Sequence, residues 1–190
     1  MILLPFCWHS TKTLSKLYQN GFKIDGVYQL KGLGLHTLLA YCDQTTEGGG
    51  WTVFQRRQDG SVDFSRKWND YKMGFESIKG EFCFGNQHIY YMTKPSFAPK
   101  KSQLLINMRM KGKQTPEYVK YNVFEITDEA TKYTLKIGGC SWNVTIGSTG
   151  LDWVNNMKFS TIDSDNDVWN KNCAADSGQS GGDRLAHMFS

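Results

Sequence analysis

The residues with the clearest capacity for chemistry lie in the run Asp163–Cys173, which reads Asp-Ser-Asp-Asn-Asp-Val-Trp-Asn-Lys-Asn-Cys. Aspartates occupy the alternate positions 163, 165 and 167, and carboxylates packed this closely repel one another. A folded loop that holds them is expected to bind a cation. Calcium suits such a loop because it takes several oxygen ligands, backbone carbonyls included. The alternative interpretation is a solvated acidic turn, since Asp and Asn favour turns by bonding their own backbone.

The loop does not match an EF-hand. An EF-hand that started at Asp163 would need glycine at its sixth position and glutamate at its twelfth, where this sequence has Val168 and Ala174. The spacing alone therefore predicts a cation site of another kind and leaves its ligands open.

The composition indicates a globular chain with many turns. Its 190 residues are enough for one domain with a real core or for two small domains. No apolar run approaches the ~20 residues of a membrane span. Met1–Trp8 is apolar but too short for a signal peptide, so we expect a cytosolic chain or a piece of an exported one. The formal charge of +4 is modest, and no aromatic residues interleave with the basic ones as in a nucleic-acid platform.

Cysteine spacing argues against zinc. The five cysteines are dispersed and none forms a CxxC pair. Their odd number leaves at least one thiol unpaired or paired with another chain. If the chain is secreted, Asn143-Val144-Thr145 is a glycosylation sequon, with Asn143 as the acceptor.

No residue pattern predicts catalysis. The sequence contains none of the HExxH, GxSxG or GxxxxGK[ST] motifs. The triple glycine Gly48–Gly50 lacks the following Gly-Lys-Ser/Thr and helix of a phosphate loop, so it predicts a tight turn into a strand. The four histidines are scattered, at His9, His36, His88 and His187, and we expect a binding protein rather than an enzyme.

The first half of the chain predicts a helix, a hairpin and two further short helices. Ser10–Gln19 places Leu14, Leu17 and Tyr18 on one helical face before Asn20-Gly21. Strands are predicted at Gly26–Leu30, Leu38–Cys42 and Trp51–Arg57, joined by Gly-containing turns. Ser65 is predicted to cap a helix carrying Trp68 and Tyr71 that Gly74 closes, and Asn86 to cap another through Met92.

The second half predicts strands and then loops. Leu104–Met110 alternates apolar and polar residues, Tyr118–Ile126 is a further candidate, and Tyr133–Ile137 alternates again before Gly138-Gly139 breaks it. Regular periodicity then disappears, and Trp142, Trp153 and Trp169 lie among loop residues. Loops of this kind are a typical recognition surface.

A gapped series of residues resembles the fibrinogen-related domain, the C-terminal globular module of fibrinogen chains, ficolins, tenascins and angiopoietins. The match runs from about Leu17 to Ala174. The residues that carry it are Gly26-Val27-Tyr28, Tyr41-Cys42-Asp43, Gly48–Arg57, Asp59–Phe64, Trp68, Tyr71, Gly74-Phe75, Gly80-Glu81-Phe82, Gly85-Asn86, Tyr133, Gly138-Gly139, Met157–Thr161, Asp163–Asp167 and Asn172-Cys173-Ala174.

The resemblance implies one α+β domain over residues 10–176, followed by an atypical tail at 177–190. Its implied parts are a small N-terminal hairpin unit (10–47), a central twisted antiparallel sheet with short helices (48–138) and a loop-rich calcium unit (139–176), incomplete here. It also implies calcium ligands, namely the carboxylates of Asp165 and Asp167 and the backbone carbonyls of Trp169 and Lys171. Asp163 would then orient the loop from behind these ligands.

The sequence departs from the family at its cysteines and near its end. The family partner of Cys173, the Cys-His segment that lines the pocket and the final strand of the sheet are missing after Ala174. Cys7 is the only upstream candidate for a bridge to Cys42. Cys83 and Cys140 replace aromatic residues of the family, and we expect buried thiols there rather than a bridge between them.

The resemblance favours a secreted, extracellular recognition module that binds acetylated glycans or protein partners with calcium support. The alternative is a truncated product without a complete pocket and with little binding activity. Neither nucleic acid nor membrane insertion is expected. Family members oligomerise through upstream regions that this chain lacks, so we expect a monomer or association through an exposed sheet edge.

Overall fold

The computed structural model describes residues 2–4, 21, 23–30, 38–96, 101–109, 117–142 and 151–176. Strands β1 to β8 span Ile2–Leu4, Gly26–Leu30, Leu38–Asp43, Trp51–Arg56, Phe82–Cys83, Leu104–Met108, Glu117–Ile126 and Leu135–Trp142. Helices α1 to α3 span Trp68–Met73, Asn86–Thr93 and Cys173–Asp176, and 3-10 helices span Thr46–Gly48, Glu129–Thr131 and Leu151–Val154. The predicted helix Ser10–Gln19, Cys7, Asn143 and the tail 177–190 lie outside the described residues.

One antiparallel sheet organises the fold. Its strand order is β2-β3-β4-β1-β6-β7-β8, with β5 pairing with β4 beside this path. The short helices lie outside the sheet, with α2 packed against β7 and α1 packed against α2, which confirms the α+β prediction. The hairpin β2–β3 is hydrogen-bonded to β4, so the sheet is continuous across residue 48, where the sequence analysis divided the hairpin unit from the central unit.

The hairpin and the strand after it follow their sequence patterns. In β3, Ala40 and Cys42 are buried, while Leu39 is exposed and Tyr41 is only partly buried, as strand alternation predicts. All residues of β4 are buried, because β3 and β5 flank it on one side and β1 on the other. The sequence analysis assigned no structural role to Ile2–Leu4, yet this segment occupies the middle of the sheet, between β4 and β6.

The last strand corrects one prediction. β8 begins at Leu135 because Lys132 and Tyr133 have positive φ angles of 61° and 47°, which residues other than glycine do not adopt in a regular strand. Gly138-Gly139 does not break the strand, which continues to Trp142 in regular register with β7. Gly139 has φ 69°, and a Cβ atom there would lie 3.1 Å from the Cβ of Asn122. Glycine therefore lets the strand continue through a position where any other residue would strain the backbone and crowd the Asn122 side chain.

Both predicted helices form, but neither has the predicted cap. α1 begins at Trp68, and the carboxylate of Asp70 accepts the Lys67 backbone N–H at 3.2 Å, while the backbone N–H of Ser65 donates to Asp63. Asn86 is the first residue of α2 and not its N-cap, a position that Gly85 takes with φ 97°. α1 ends before Gly74, as predicted.

Candidate metal centre

The loop that carries the aspartates is closed at its base by Asn166. Its side-chain Nδ2 donates to the backbone oxygens of Phe159 at 2.9 Å and Ser164 at 3.2 Å. Its backbone N–H donates to the Oγ of Ser160 at 3.0 Å. These bonds hold the two ends of the turn together. The sequence analysis noted Asn166 only as a residue among aspartates, because its partners cannot be inferred from spacing.

Asp165 is exposed and Asp167 is partly buried, and both accept hydrogen bonds from backbone N–H groups of this loop. One oxygen of Asp167 accepts the Trp169 N–H and the other accepts the Cys173 N–H, each at 2.9 Å. The Oδ1 of Asp165 accepts the Asp167 N–H at 3.3 Å. Each carboxylate oxygen keeps a further lone pair, so these bonds orient the two groups without using up their capacity to bind a cation.

Asp163 points elsewhere. Its Oδ1 accepts the backbone N–H of Trp68, the first residue of α1, at 2.8 Å and the hydroxyl of Thr161 at 2.8 Å. Burial alone would raise the pKa of Asp163, but the hydrogen bonds from Trp68 and Thr161 lower it below its usual range. The carboxylate thus ties the loop to a helix 95 residues earlier in the chain.

Aromatic rings pack beneath the contact between Asp163 and Trp68. Trp68 stacks on Tyr133 with 5.6 Å between ring centroids and meets Phe159 edge-on at 5.9 Å, and Tyr71 meets Phe159 at 5.3 Å. The indole N–H of Trp68 donates to Glu129 at 3.0 Å. Phe159 is 2% exposed, so the loop rests on packed core.

The far end of the loop is fixed by Asn172. Its Nδ2 donates to the Thr161 backbone oxygen at 3.0 Å, and its Oδ1 accepts the Ala175 N–H at 3.1 Å in the first turn of α3. Between these two anchored ends, Val168 and Trp169 project outward with 74% and 63% of their surfaces exposed.

The candidate ligands of the acidic loop are all oxygen atoms. Within the described part of the chain no group of three or more His, Cys, Asp or Glu side chains is close enough to hold a metal ion. A cation here would therefore depend on two carboxylates and on backbone carbonyls, which are all hard oxygen donors. That chemistry fits calcium and does not fit zinc, which prefers nitrogen and sulfur. The ligand assignment of Asp165, Asp167, Trp169 and Lys171 stays a prediction.

The described cysteines agree in part with their predictions. Cys83 is a buried free thiol, and burial raises its pKa to about 12. Cys140 is also a free thiol but only partly buried, so the alternative of a Cys83–Cys140 bridge is wrong. Cys42 is a free, fully buried thiol, and the Cys7–Cys42 bridge stays a prediction because Cys7 lies outside the described residues. The Sγ of Cys173 lies 3.7 Å from the Lys171 backbone oxygen.

His88 has the surroundings of a packing residue. Its ring lies 5.2 Å from that of Phe84, and burial lowers its pKa. The other histidines lie outside the described residues. Among the described residues no helix is both long and apolar enough to cross a membrane.

The antiparallel sheet and its short helices define an α+β domain. Its candidate site is the acidic loop, which is anchored at both ends and packs on aromatic core residues. The family model described as fibrinogen beta and gamma chains, C-terminal globular domain, matches residues 10–182. The chain therefore belongs to the fibrinogen C-terminal domain family, as the sequence resemblance predicted.

Relatives and solved structures agree with this assignment. Mouse angiopoietin-related protein 7 is 40% identical over 163 residues, which are 84% of this chain and 46% of that protein. The fibrinogen-like globe domain of human ANGPTL6 superposes with a TM-score of 0.77 at 34% identity, covering 88% of this chain and 72% of that one. Lamprey fibrin D-dimer, solved with the peptide ligand Gly-His-Arg-Pro-amide, superposes with a TM-score of 0.70 at 30% identity, covering 86% and 54%. The chain thus spans about half the length of its angiopoietin-related relative.

Proposed function

We propose that this domain is a secreted, non-catalytic recognition module whose acidic loop binds calcium and whose neighbouring loops bind extracellular protein partners or acetylated glycans. The observation that carries the proposal is the loop itself. Both ends of the loop are anchored, Asp165 and Asp167 are held by backbone N–H groups within it, and the exposed Val168 and Trp169 lie between the anchors. Bound calcium would neutralise the two carboxylates and hold the backbone oxygens of Trp169 and Lys171 in place.

A protein or peptide partner has specific support. The lamprey fibrin D-dimer, which shares this fold at 30% identity, is complexed with a four-residue peptide. On this chain the exposed side chains of Trp153 and Trp169 offer aromatic surface of the kind enriched at protein interfaces. Acetylated glycans remain a second ligand class within the proposal, since aromatic faces and loop amides bind both. The sequon at Asn143 is proposed to be glycosylated in the secreted protein.

The first prediction concerns calcium and thermal stability. Because a ligand that binds only the folded state raises its melting temperature, calcium at about 100 times its Kd is expected to stabilise the domain by about 2.7 kcal/mol. For a chain of this size that corresponds to a rise in Tm of about 5–10 °C. The measurement is differential scanning calorimetry of the wild type and of Asp165→Asn and Asp167→Asn, each with calcium and with chelator.

The matched control is Asp152→Asn, an exposed aspartate on the neighbouring 3-10 helix. It is expected to keep the full calcium response, whereas both loop variants lose it. A cooperative transition indifferent to calcium in the wild type would contradict the calcium proposal. No cooperative transition at all would favour the second candidate, a domain with an incomplete pocket and little or no binding activity. Binding of acetylated glycans and of short peptides would then be compared on the calcium-responsive protein.

A second prediction separates orientation from ligation. Asp163→Ala removes the acceptor of the Trp68 N–H and of the Thr161 hydroxyl without removing a proposed ligand. Groups that hold ligands in position typically contribute 10- to 100-fold to metal affinity, so we expect calcium to bind about tenfold more weakly. Isothermal titration calorimetry measures this, and Asp163→Asn, which retains one acceptor oxygen, should recover most of the affinity. If Asp163→Ala abolished binding as completely as Asp165→Asn, Asp163 would be a ligand instead.

A further inference from the structure

The two outermost strands of the sheet, β8 and β2, differ in whether their outer edges are covered. The outer side of β8 is covered at its start, Leu135–Ile137, by the segment Asn155–Met157. The Asn156 N–H donates to the Leu135 oxygen at 2.7 Å, the Leu135 N–H donates to the Met157 oxygen at 2.9 Å, and Asn155 accepts the Ile137 N–H at 3.0 Å. On the opposite side of the sheet, no described strand pairs with the outer side of β2 and no described loop caps it. An open strand edge presents unpaired N–H and C=O groups to any strand that can align with it.

β2 lacks the features that normally protect an edge. Gly26–Leu30 reads Gly-Val-Tyr-Gln-Leu and contains no charge and no proline. Its register with β3 is regular over all five residues, without a bulge that would twist the edge away. By comparison, β8 carries Lys136 in addition to its cover. Within the described part of the chain, the start of the β8 edge is therefore covered and the β2 edge has no hydrogen-bonded neighbour.

The side chains next to this edge are apolar and exposed. Val27 is 39% exposed and Leu39, diagonally beside it on β3, is 55% exposed, and both face away from the core. Tyr41, opposite Val27, is covered by the guanidinium of Arg56 at 3.9 Å and completes the row. A strand added to β2 would extend this row and bury part of it, which gives the edge a hydrophobic contribution in addition to its backbone bonds.

We propose that the open edge of β2 pairs with β2 of a second copy of this chain, antiparallel and centred on Tyr28. A two-fold interface uses the same surface twice, and a strand free of charge can lie against itself without opposing like charges. In this register Val27 of one copy lies opposite Gln29 of the other, so each Val27 packs between Gln29 of the partner subunit and Tyr41 of its own copy. Two sheets join into one across the axis. The inference does not depend on calcium or on the proposed ligand.

The pairing buries one short strand per copy, so we expect a weak dimer, with a Kd on the order of 10–100 µM. Sedimentation equilibrium from about 1 to about 300 µM protein measures it, because the population of such a dimer changes across that range. The double variant Val27→Lys with Gln29→Lys places lysine opposite lysine twice and is expected to raise the Kd about tenfold or more. Both positions are exposed, so the domain should stay folded, which its melting temperature checks.

Two further variants make the test specific. The control Met73→Lys with Gln58→Lys adds the same charge at exposed sites away from β2 and should dimerise like the wild type. Val27→Glu with Gln29→Glu should be monomeric alone and should form a heterodimer when mixed with the double lysine variant, because each lysine then opposes a glutamate. A wild type that stays monomeric at all concentrations would overturn the proposal. Dimerisation unaffected by the lysines, or not restored in the mixture, would do the same.

Discussion

Replacing Glu81 with glutamine is expected to lower the free energy of unfolding by about 3 kcal/mol. The Glu81 side chain is only 1% exposed. Its Oε1 accepts the backbone N–H groups of Gln58, Asp59 and Gly60, and its Oε2 accepts that of Val62 at 3.1 Å. The guanidinium Nε of Arg57 lies 3.6 Å from Oε1.

The large effect follows from what glutamine can offer these donors. Its single amide oxygen can serve the group of three N–H donors, but its NH₂ group then faces the N–H of Val62, donor against donor. One buried donor is left unpaired, and the remaining bonds lose the assistance of the charge. Urea denaturation at pH 7 measures the difference. The control is Glu76→Gln, whose carboxylate pairs with Arg66 at 3.1 Å on the surface and should cost less than about 1 kcal/mol. Equal costs for the two variants would contradict the assignment.

The same carboxylate predicts how stability depends on pH. Burial alone would raise the pKa of Glu81, but the four backbone N–H groups outweigh it and lower the pKa from 4.5 to about 2. Since the folded state keeps the proton off, the stabilisation is present above pH 4.5 and is lost as the pH falls towards 2. The shift corresponds to about 3 kcal/mol. The wild type should therefore approach the stability of Glu81→Gln as the pH falls from 6 to about 3, whereas a constant gap would contradict the shift.

The turn 58–62 and the acidic loop 163–171 thus differ in how their charges are balanced. In the turn 58–62, four backbone N–H groups donate to the buried carboxylate of Glu81, which supplies the negative charge that they bind. The loop 163–171 has an excess of carboxylates instead. Asn166 and Asn172 close its backbone, but they do not neutralise Asp165 and Asp167. This difference is the physical reason to expect a cation at the second loop and none at the first.

Local pattern was enough to predict much of the sheet. The positions of β2, β3, β4 and β7 follow from alternation and from the glycines between them. The acidic loop could also be found by spacing alone. The helix caps could not, because Ser65 and Asn86 have the right chemistry for a cap but the wrong position relative to the backbone turn. The extent of β8 was missed because glycine more often ends a strand than continues it through a positive φ.

Contacts between segments that are distant in the chain could not be predicted from the sequence. Asp163 bonds to Trp68, and Glu81 bonds to a turn that lies about 20 residues before it, and no local periodicity encodes either pair. Ile2–Leu4 is a further case, since an apolar run of three residues predicts nothing about which strands it joins. These contacts depend on the register of the whole sheet and on how α1 packs, which are set by the fold.

Gly85→Ala is expected to be about as damaging as the loss of Glu81, with a cost of about 3–5 kcal/mol. Gly85 has φ 97°, and a Cβ atom there would lie 2.6 Å from the Gly74 nitrogen and 2.6 Å from the Met73 carbonyl carbon. These are backbone atoms at the end of α1 and cannot rotate away. The cost therefore combines a strained backbone with displacement of α1 from the start of α2.

Gly60→Ala separates these two contributions. Gly60 also has a positive φ, 77°, but a Cβ atom there meets nothing within 4 Å. We expect this control to cost about 1–2 kcal/mol from backbone strain alone. Thermal and urea unfolding of both variants measure the difference. If Gly85→Ala cost no more than Gly60→Ala, the close approach of α1 and α2 would not contribute to stability.

The double variant tests whether the contact is one unit. A Cβ atom on Gly74 would lie 2.7 Å from the Phe84 oxygen, so each glycine makes room for the backbone beside the other. Once the first alanine has displaced α1, the Cβ of the second alanine no longer clashes. The second substitution then adds only the cost of its own backbone strain. The cost of Gly74→Ala with Gly85→Ala should thus fall short of the sum of the single costs by about 1–3 kcal/mol. Because α1 also presents the Trp68 N–H to Asp163, the same displacement should weaken any calcium response of the loop.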